Sequence, residues 1–210
     1  MTKKLLSILT ACLLASAPLF GQATAKSAFV TAPPSILPVL DASTRLDMID
    51  YYESGSQKPS HNHLDGETRI INLDSDEITF SQGQSLTTSI AVLPTGKKEI
   101  LMVINTYRLP AADSQIKFYT TKWEPIETER LLRAPRLTDW TGKLSADERL
   151  DLENALPFMT MKATYSPNNR TLTLTPTIAD LLEEEDLAKV APHIAPQLTY
   201  RWTGSKFKQN

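Results

Sequence analysis

SLTTSIAVLPTGKKEILMVINTY, residues 85–107, contains two apolar and β-branched runs separated by a short polar segment. Residues 85–93 and 99–107 therefore predict two β-strands. Pro94, Thr95 and Gly96, which lie between them, are typical turn residues. Because strands joined by so short a turn pair antiparallel, the segment predicts a β-hairpin within an antiparallel sheet.

Further strands and two helices are predicted on both sides of this hairpin. One helix is predicted at residues 41–52 with Asp41 as its N-cap, and the other at 145–156 with a capping box between Ser145 and Glu148. Together the elements predict an α+β protein that is β-rich overall. The additional strands are predicted from short alternating or β-branched runs at 69–73, 77–80, 115–121, 159–165, 170–175 and 198–207.

Two segments have weaker patterns. Residues 26–38 contain Pro33, Pro34 and Pro38, and prolines at this density predict an extended lead-in rather than a helix. The acidic segment 181–190 predicts a short helix with a solvated face.

The two halves of the chain share an order of elements, which is a capped helix, a hairpin with a polar turn and a strand with an aromatic pair. RLDM at residues 45–48 also matches RLDL at 149–152. We therefore expect an internal duplication of an amphipathic helix followed by an antiparallel β-meander, with Leu46 and Leu150 buried at equivalent places. A chance likeness between two α+β segments is the alternative. The predicted organisation is a signal peptide at 1–25, a first half at 26–127 with inserted residues 54–84, a linker at 128–143 and a second half at 144–210.

The first 25 residues have the order of features of a secretory signal peptide. Lys3 and Lys4 precede an apolar run, residues 5–15, that is too short to span a bilayer. ATA at residues 23–25 supplies small residues for signal peptidase, so cleavage is predicted after Ala25. We expect an exported protein of the periplasm or cell envelope.

Two alternatives for this N-terminal segment stay open. ASA at residues 15–17 provides another site for signal peptidase, followed by Pro18. LTAC at residues 9–12 resembles a lipobox, which would make Cys12 a lipid-anchored first residue.

Composition after export excludes several functions. The signal contains two of the 22 Lys and Arg residues and none of the 24 acidic residues, so its removal changes the formal net charge from −2 to −4. This charge disfavours nucleic acid and anionic membrane surfaces as partners. Cys12 is the single cysteine, so the exported chain has no disulfide, thiol nucleophile or thiolate metal ligand. No other segment approaches the length of a transmembrane helix.

HNHLD at residues 61–65 is the strongest candidate for metal chemistry. His61, His63 and Asp65 alternate, a spacing that metallo-β-lactamase-like hydrolases use to bind zinc. Such enzymes need further histidines, and His193 is the one other histidine in the sequence. We therefore expect residues 54–66 to form an exposed loop whose histidines and aspartate are weak metal ligands at most. No cofactor is predicted.

Aromatic and arginine side chains complete the candidates. Tyr51 and Trp140 are candidates for a ligand-facing aromatic surface that stacks on sugars, and the alternative for each is a place in the core. Arg45 and Arg149 lie within the apolar arcs of their helices near the N-termini, where the macrodipole disfavours a cation. We expect both arginines to bind carboxylate or carbonyl groups of a neighbouring element and to act as structural clasps between helix and sheet.

Two stretches resemble an exported family of Bacteroidales bacteria that is classed as a domain of unknown function (DUF3256). They are RLDMIDYYESG at residues 45–55 and DSQIKFY at residues 113–119, the latter together with Trp123. The resemblance covers most of the exported chain and implies its compartment and host class. It implies no activity and no site residues.

The sequence favours a binding function over a catalytic one. It contains no glycine-rich phosphate loop and no GxSxG nucleophile elbow. A non-catalytic envelope protein that binds a glycan, a peptide or a protein partner is therefore the favoured function. An unrecognised periplasmic hydrolase and an inhibitor or assembly factor are the alternatives.

Overall fold

The computed structural model describes residues 23–96, 98–108, 110–156 and 158–210. Of the predicted signal segment, only Ala23, Thr24 and Ala25 fall within these residues, so the predictions about Cys12 lie outside them. The described residues form two antiparallel sheets and several helices, with more strand than helix. This composition confirms the predicted β-rich α+β class.

The larger sheet has seven strands, and each pairs antiparallel with the next strand along the chain. The predicted hairpin forms its centre. Pro94 pairs with Glu99, and the Thr95 N–H donates to the Lys98 carbonyl at 2.8 Å across the turn. The strands are β1 (Ser60–His61), β2 (Glu67–Leu73), β3 (Glu77–Gln82), β4 (Leu86–Pro94), β5 (Glu99–Tyr107), β6 (Asp113–Thr120) and β7 (Pro125–Ile126).

The smaller sheet has four strands, with β8 at one edge and β11 at the other. The prediction of one closing strand at 198–207 is wrong, because the chain turns at Gly204, whose φ is +87°, and continues as a separate strand. A positive φ of this kind favours glycine, which lacks the clashing Cβ. The strands are β8 (Met161–Ser166), β9 (Thr171–Pro176), β10 (Leu198–Trp202) and β11 (Phe207–Gln209).

Six α-helices lie outside the sheets in the described part of the chain. The two predicted caps are confirmed. Asp41 accepts a hydrogen bond from the Thr44 N–H, and Ser145 and Glu148 form a reciprocal capping box. The helices are α1 (Ala25–Thr31), α2 (Ala42–Glu53), α3 (Thr128–Leu131), α4 (Leu137–Trp140), α5 (Ala146–Ala155) and α6 (Glu184–Val190). None of these helices combines the length and the hydropathy needed to cross a membrane.

The fold has three layers because the central strands β4 and β5 are buried on both faces. Ile90 of β4 and Leu101 of β5 face a core that includes α1 and α2, whereas Ala91 and Met102, one position along, face a second core shared with the smaller sheet. The larger sheet is therefore sandwiched between helices and the smaller sheet. A strand buried on both faces needs a nearly continuous apolar run, which explains the composition of residues 90–93 and 100–104.

Helix α1 corrects the prediction of an extended lead-in at residues 26–38. Thr24 accepts from the Ser27 N–H and forms a capping box, and Phe29 packs on Phe80 with ring centroids 4.7 Å apart. The prolines restrict the backbone only after the end of α1. The helix ends before Ala32, whose ψ of 129° is the extended conformation favoured by a residue that precedes proline.

The internal duplication is not confirmed. Leu46 is 50% exposed and Leu150 is 57% exposed, so the prediction that both are buried is wrong. Helix α2 instead buries Arg45, Met48 and Ile49, and packs against α1 and the larger sheet. Helix α5 packs with α6 in a small separate cluster rather than on a sheet. The two helices therefore do not occupy equivalent places.

The two predicted arginine clasps have different outcomes. Arg45 is buried on α2 and its Nη1 donates to the Ala32 carbonyl at the end of α1. This contact confirms the carbonyl partner for Arg45, and it joins the two helices rather than helix and sheet. Arg149 is exposed on α5, so the prediction of a clasp there is wrong.

Side chains far apart in sequence hold the two sheets together. The Trp202 Nε1–H donates to the Pro94 carbonyl at 2.7 Å. The Ser114 hydroxyl, which bonds Thr106 at 2.8 Å, accepts from the Ala163 N–H at 2.9 Å. The Trp202 bond holds β10 at the end of β4, and the Ser114 bond holds edge strand β8 across the ends of β5 and β6. This placement determines how much of the larger sheet the smaller one covers.

Candidate ligand-binding site

The predicted metal ligands lie in a surface loop. His61 is exposed in β1, Asp65 is exposed with a φ of +56°, and the Nε2 atom of His63 lies 3.0 Å from Oδ2 of Asp41. The hydrogen bonds from the Thr44 backbone and from His63 lower the pKa of Asp41 from 3.8 to about 2. His63 therefore contacts the cap of α2. In the described residues, no three His, Cys, Asp or Glu side chains are grouped so as to hold a metal ion.

Two polar residues of this loop are buried, which corrects the prediction that all of residues 54–66 are exposed. Ser60 and Asn62 are each 8% exposed. The Asn62 Oδ1 accepts from the N–H groups of Leu64 and Gly66 at 2.9 and 3.0 Å. The side-chain amide of Asn62 thus stabilises the turn, as asparagine commonly does. The sequence pattern pointed to the histidines on either side of it and not to this structural role.

Trp140 is a core residue and not a ligand platform. Its side chain is 1% exposed and belongs to the core between the two sheets, together with Leu132. The predicted linker at 128–143 contains α3 and α4, and α4 places this indole in the core. The proline and arginine content of the segment indicated a linker, although α4 within it anchors Trp140 in the core.

Tyr51 lines a surface groove. The groove lies between the C-terminal end of α2 and β2 and has a volume of about 460 Å³. The Lys58 ammonium lies 5.6 Å from the centroid of the Tyr51 ring, a distance typical of a cation–π contact. We name this feature the Tyr51 groove, and its lining consists of Met48, Tyr51, Tyr52, Gly55, Ser56, Gln57, Lys58, Ser60, Thr68, Arg69, Ile70 and Ile71.

A second concave surface lies where the smaller sheet stops covering the larger one. This inter-sheet cleft has a volume of about 360 Å³, within the roughly 300–1,000 Å³ of ligand pockets. Its composition is unusual because most of its side chains are hydroxylic, charged or amide. The lining consists of Ile71, Asn72, Glu77, Thr79, Thr87, Ser89, Ile104, Thr106, Arg108, Lys162, Ala163, Thr164 and Tyr165.

The alternation of β4 explains the cleft. Thr87, Ser89, Ala91 and Leu93 share one face of the strand. The smaller sheet covers the apolar pair, and the hydroxylic pair lines the cleft. The change from polar to apolar along one face was the sequence signal for this site, and it was overlooked.

Glu77 is the buried carboxyl of the cleft. It is 9% exposed, and the Ser89 hydroxyl donates to its Oε1 at 2.6 Å. Burial raises the pKa of Glu77 above its ordinary value of 4.5, and the hydrogen bond from Ser89 partly opposes this shift. Burial also raises the pKa of Tyr165 to about 12, so this phenol stays neutral at physiological pH.

Two cations border the cleft. The Arg108 Nη2 donates to the Thr87 hydroxyl at 3.3 Å, and Lys162 is exposed on β8. No carboxylate of the described residues lies at salt-bridge distance from either cation. Their charges are therefore available to a ligand.

A larger groove between α5 and α6 is a weaker candidate. Its volume is about 670 Å³, and its charged lining includes Glu148, Asp186 and Lys189. These side chains already have partners. Glu148 bonds Ser145, and Lys189 pairs with Glu185 and Asp186. Solvated helix faces commonly carry such pairs. Asp151 and His193 are the ionisable lining residues of this groove without a side-chain partner among the described residues.

Residues 19–207 match the family described as a protein of unknown function, DUF3256. The chain belongs to the DUF3256 family. The match covers nearly the whole described fold, including both sheets and the cleft between them. No curated protein matches the sequence.

A solved structure shares the fold of this DUF3256 protein. It is described as a domain of an uncharacterized protein from Porphyromonas gingivalis W83. The two are 25% identical and superpose with a TM-score of 0.75, over 87% of this chain and 97% of the other. The arrangement of both sheets is therefore that of a known domain.

The chemistry available in the DUF3256 cleft is suited to binding. Its hydroxyl groups can each donate and accept hydrogen bonds, the amide of Asn72 can do both, and Glu77 is the one carboxyl among the lining residues. All three histidines lie elsewhere, so Glu77 is the one acid–base side chain hydrogen-bonded to Ser89. A ligand rich in hydroxyl groups would match this lining best.

Proposed function

We propose that this DUF3256 protein is an exported, non-catalytic envelope protein that binds a saccharide in the inter-sheet cleft. The observation that carries the proposal is the uncovered polar part of the larger sheet, where Thr79, Thr87 and Ser89 lie beside a buried carboxyl. Thr87 and Ser89 already bond Arg108 and Glu77, whereas the half-buried Thr79 hydroxyl has no partner among the described residues and would gain one from a ligand. A concentration of hydroxyl groups on a concave surface supports a polyhydroxylated ligand.

The cleft favours a saccharide over an apolar ligand. Ligand pockets are predominantly hydrophobic in lining, whereas here only Ile71, Ile104 and Ala163 of the thirteen lining residues are apolar. A sugar ring offers hydroxyl groups to the threonines and serine, and an apolar ring face to Ile71 or Ile104. Asn72 and Glu77 supply the fixed acceptors that define the orientation of such a ring.

The proposal of export rests on the N-terminal sequence. Lys3 and Lys4, the apolar run at 5–15 and the small residues at 23–25 have the order of a secretory signal. Saccharides are abundant outside the cytoplasm, so compartment and ligand class agree.

The absence of a second carboxyl supports the non-catalytic part of the proposal. Most glycoside hydrolases use a pair of carboxyl groups flanking the scissile bond, and Glu77 alone lines the cleft among the described residues. A hydrolase is the second candidate, because a buried carboxyl of raised pKa in a cleft is also typical of a general acid.

Calorimetric titration with mono- and disaccharides of glucose, N-acetylglucosamine and mannose tests the proposal. Thr79→Val removes one hydroxyl of the lining at nearly constant volume and should weaken the affinity about 2–10-fold, the range for one net hydrogen bond. Thr173→Val, on β9 outside the cleft, is the matched control and should bind as the unchanged protein does. Equal affinity of both variants, or no saccharide binding at all, would exclude the proposal. Release of shortened products during incubation would establish the hydrolase instead.

A further inference from the structure

The Tyr51 groove contains a buried hydroxyl without a partner. Ser60 is 8% exposed and lines the groove, and its Oγ forms no hydrogen bond with any described residue. Buried polar atoms in folded proteins nearly always have a partner, so each exception requires an explanation. The Oγ atom is itself covered, so a ligand hydroxyl would supply the missing bond once a neighbouring groove side chain moves aside.

The same groove offers an aromatic surface. Tyr52 is 37% exposed, and Tyr51 beside it has Lys58 over its ring. Gln57 adds an amide that can donate and accept hydrogen bonds. Aromatic rings beside amide and hydroxyl groups form an amphipathic surface that suits a sugar, which has apolar ring faces and polar edges.

Ile71 connects the groove to the inter-sheet cleft. It lines both and is 53% exposed, because the register of β2 with β3 shifts between Ile70 and Asn72. The resulting β-bulge leaves Ile71 as the extra residue on the outer strand. The two concave surfaces therefore meet at this one apolar side chain.

The geometry of β2 disfavours a peptide as the occupant. Strand β1 pairs with β2 only at Thr68 and Glu67, so β2 beyond Thr68 has no outer partner strand among the described residues. Such an edge invites an added strand, but a bulge and a charged residue such as Arg69 are common devices that prevent this pairing. A ligand that contacts side chains, rather than one that extends the sheet, fits this edge better.

We infer that the Tyr51 groove is a second subsite and that the ligand is an oligosaccharide chain crossing β2 at Ile71. The inference rests on the proposed saccharide binding in the inter-sheet cleft. One sugar unit occupies that cleft, and a later unit of the same chain stacks on Tyr52 and bonds the Ser60 hydroxyl. The affinity therefore increases with chain length.

Titration with saccharides of increasing length tests this inference. The probes are mono-, di-, tri- and tetrasaccharides of glucose, N-acetylglucosamine and mannose. We expect the longer members of the series that binds to bind about tenfold more tightly than the monosaccharide, as one added hydrogen bond with stacking would provide. Tyr52→Ala and Ile71→Asn should each remove most of this gain. Leu64→Asn, at another exposed apolar residue of the same region, should retain it.

Ser60→Ala distinguishes a binding role from a structural one. Because its hydroxyl has no partner, this substitution should not lower the free energy of unfolding, yet it should reduce the gain with chain length. An affinity independent of chain length would overturn the inference and leave the proposed function intact. Absence of binding to any saccharide would overturn both, and tighter binding of an extended peptide than of every saccharide would assign the edge to a protein partner instead.

Discussion

Replacing Ser89 by alanine removes the hydrogen bond that its hydroxyl donates to Glu77. The two side chains lie at the floor of the inter-sheet cleft, 2.6 Å apart, and the carboxyl is 9% exposed. A net hydrogen bond to a charged group contributes about 1.5–3 kcal/mol, and a bond between neutral groups about 0.5–1.5 kcal/mol. We therefore expect Ser89→Ala to lower the free energy of unfolding by about 1.5–3 kcal/mol when Glu77 is ionised, and by less when it is protonated.

The pH dependence of this loss has a definite sign. Burial places the folded-state pKa of Glu77 above 4.5, and the Ser89 hydrogen bond lowers it, so the substitution raises it further. A carboxyl whose pKa is raised by folding favours the folded state below its ordinary pKa, and this contribution is lost as the pH rises through the folded-state pKa. The contribution of Glu77 to stability should therefore fall with increasing pH in both proteins, and it should fall more in Ser89→Ala.

Urea unfolding followed by tryptophan fluorescence measures the difference, because all three tryptophans are buried. The loss should be smaller near pH 4 than near pH 8, because Glu77 is more fully ionised at the higher pH. Thr87→Ala is the matched control. Its hydroxyl lies on the same face of β4 and has Arg108 as its partner, so its loss should be the same at both pH values. An equal loss for Ser89→Ala at both pH values, or none at pH 8, would refute the reasoning. In a Glu77→Gln background the loss should become independent of pH.

Three further predictions concern other parts of the fold. Asp41→Asn keeps an N-cap acceptor but removes the titrating group, so in urea unfolding the variant should be less stable than the unchanged protein above pH 3.8 and equally stable near pH 2, since the stabilisation from Asp41 is complete above 3.8 and is lost as the pH falls toward 2. Leu152→Ala should cost about 2–5 kcal/mol in urea unfolding, whereas Leu150→Ala, at an exposed position of the same helix, should cost less than about 0.5 kcal/mol. Protein that begins at Lys26 lacks the Thr24 cap, so its free energy of unfolding should be about 1 kcal/mol lower than that of protein that begins at Pro18. Equal stability of the two forms in urea unfolding would show that the cap contributes nothing. N-terminal sequencing of exported protein then shows which form the cell makes.

Features fixed by neighbouring residues were predicted well from the sequence. The hairpin at residues 85–107 and the caps at Asp41 and Ser145 depend on local backbone chemistry, and all three are confirmed. Helix α1 was missed because the prolines after it dominated the composition of its segment, although they act only from Ala32 onward. Local patterns thus predicted most strands, and they failed at α1, where prolines lie just beyond the end of the helix.

Features that depend on tertiary contacts could not be predicted in the same way. Leu46 was expected in the apolar face of α2, but the Ala32 carbonyl of α1 provides a partner for Arg45 and turns the helix so that Arg45 is buried. The candidate site brings together Glu77 and Ser89 from different strands and Lys162 from the other sheet. Trp140 and Tyr51 looked equivalent as aromatic candidates, and only the fold separates a core indole from a residue at a groove.

The order of strands in the two sheets has a consequence for how the chain folds. Every strand pairs with its neighbour along the sequence, so each sheet can assemble by adding one strand at a time, and the connections that must close are short apart from residues 177–197 between β9 and β10. Contacts of small sequence separation are associated with rapid folding. The slow event should be the docking of the finished sheets, which brings Trp202 to the carbonyl of Pro94 across 108 residues. The inter-sheet cleft takes shape only in that last event, so a chain interrupted before it would hold both sheets and no binding site.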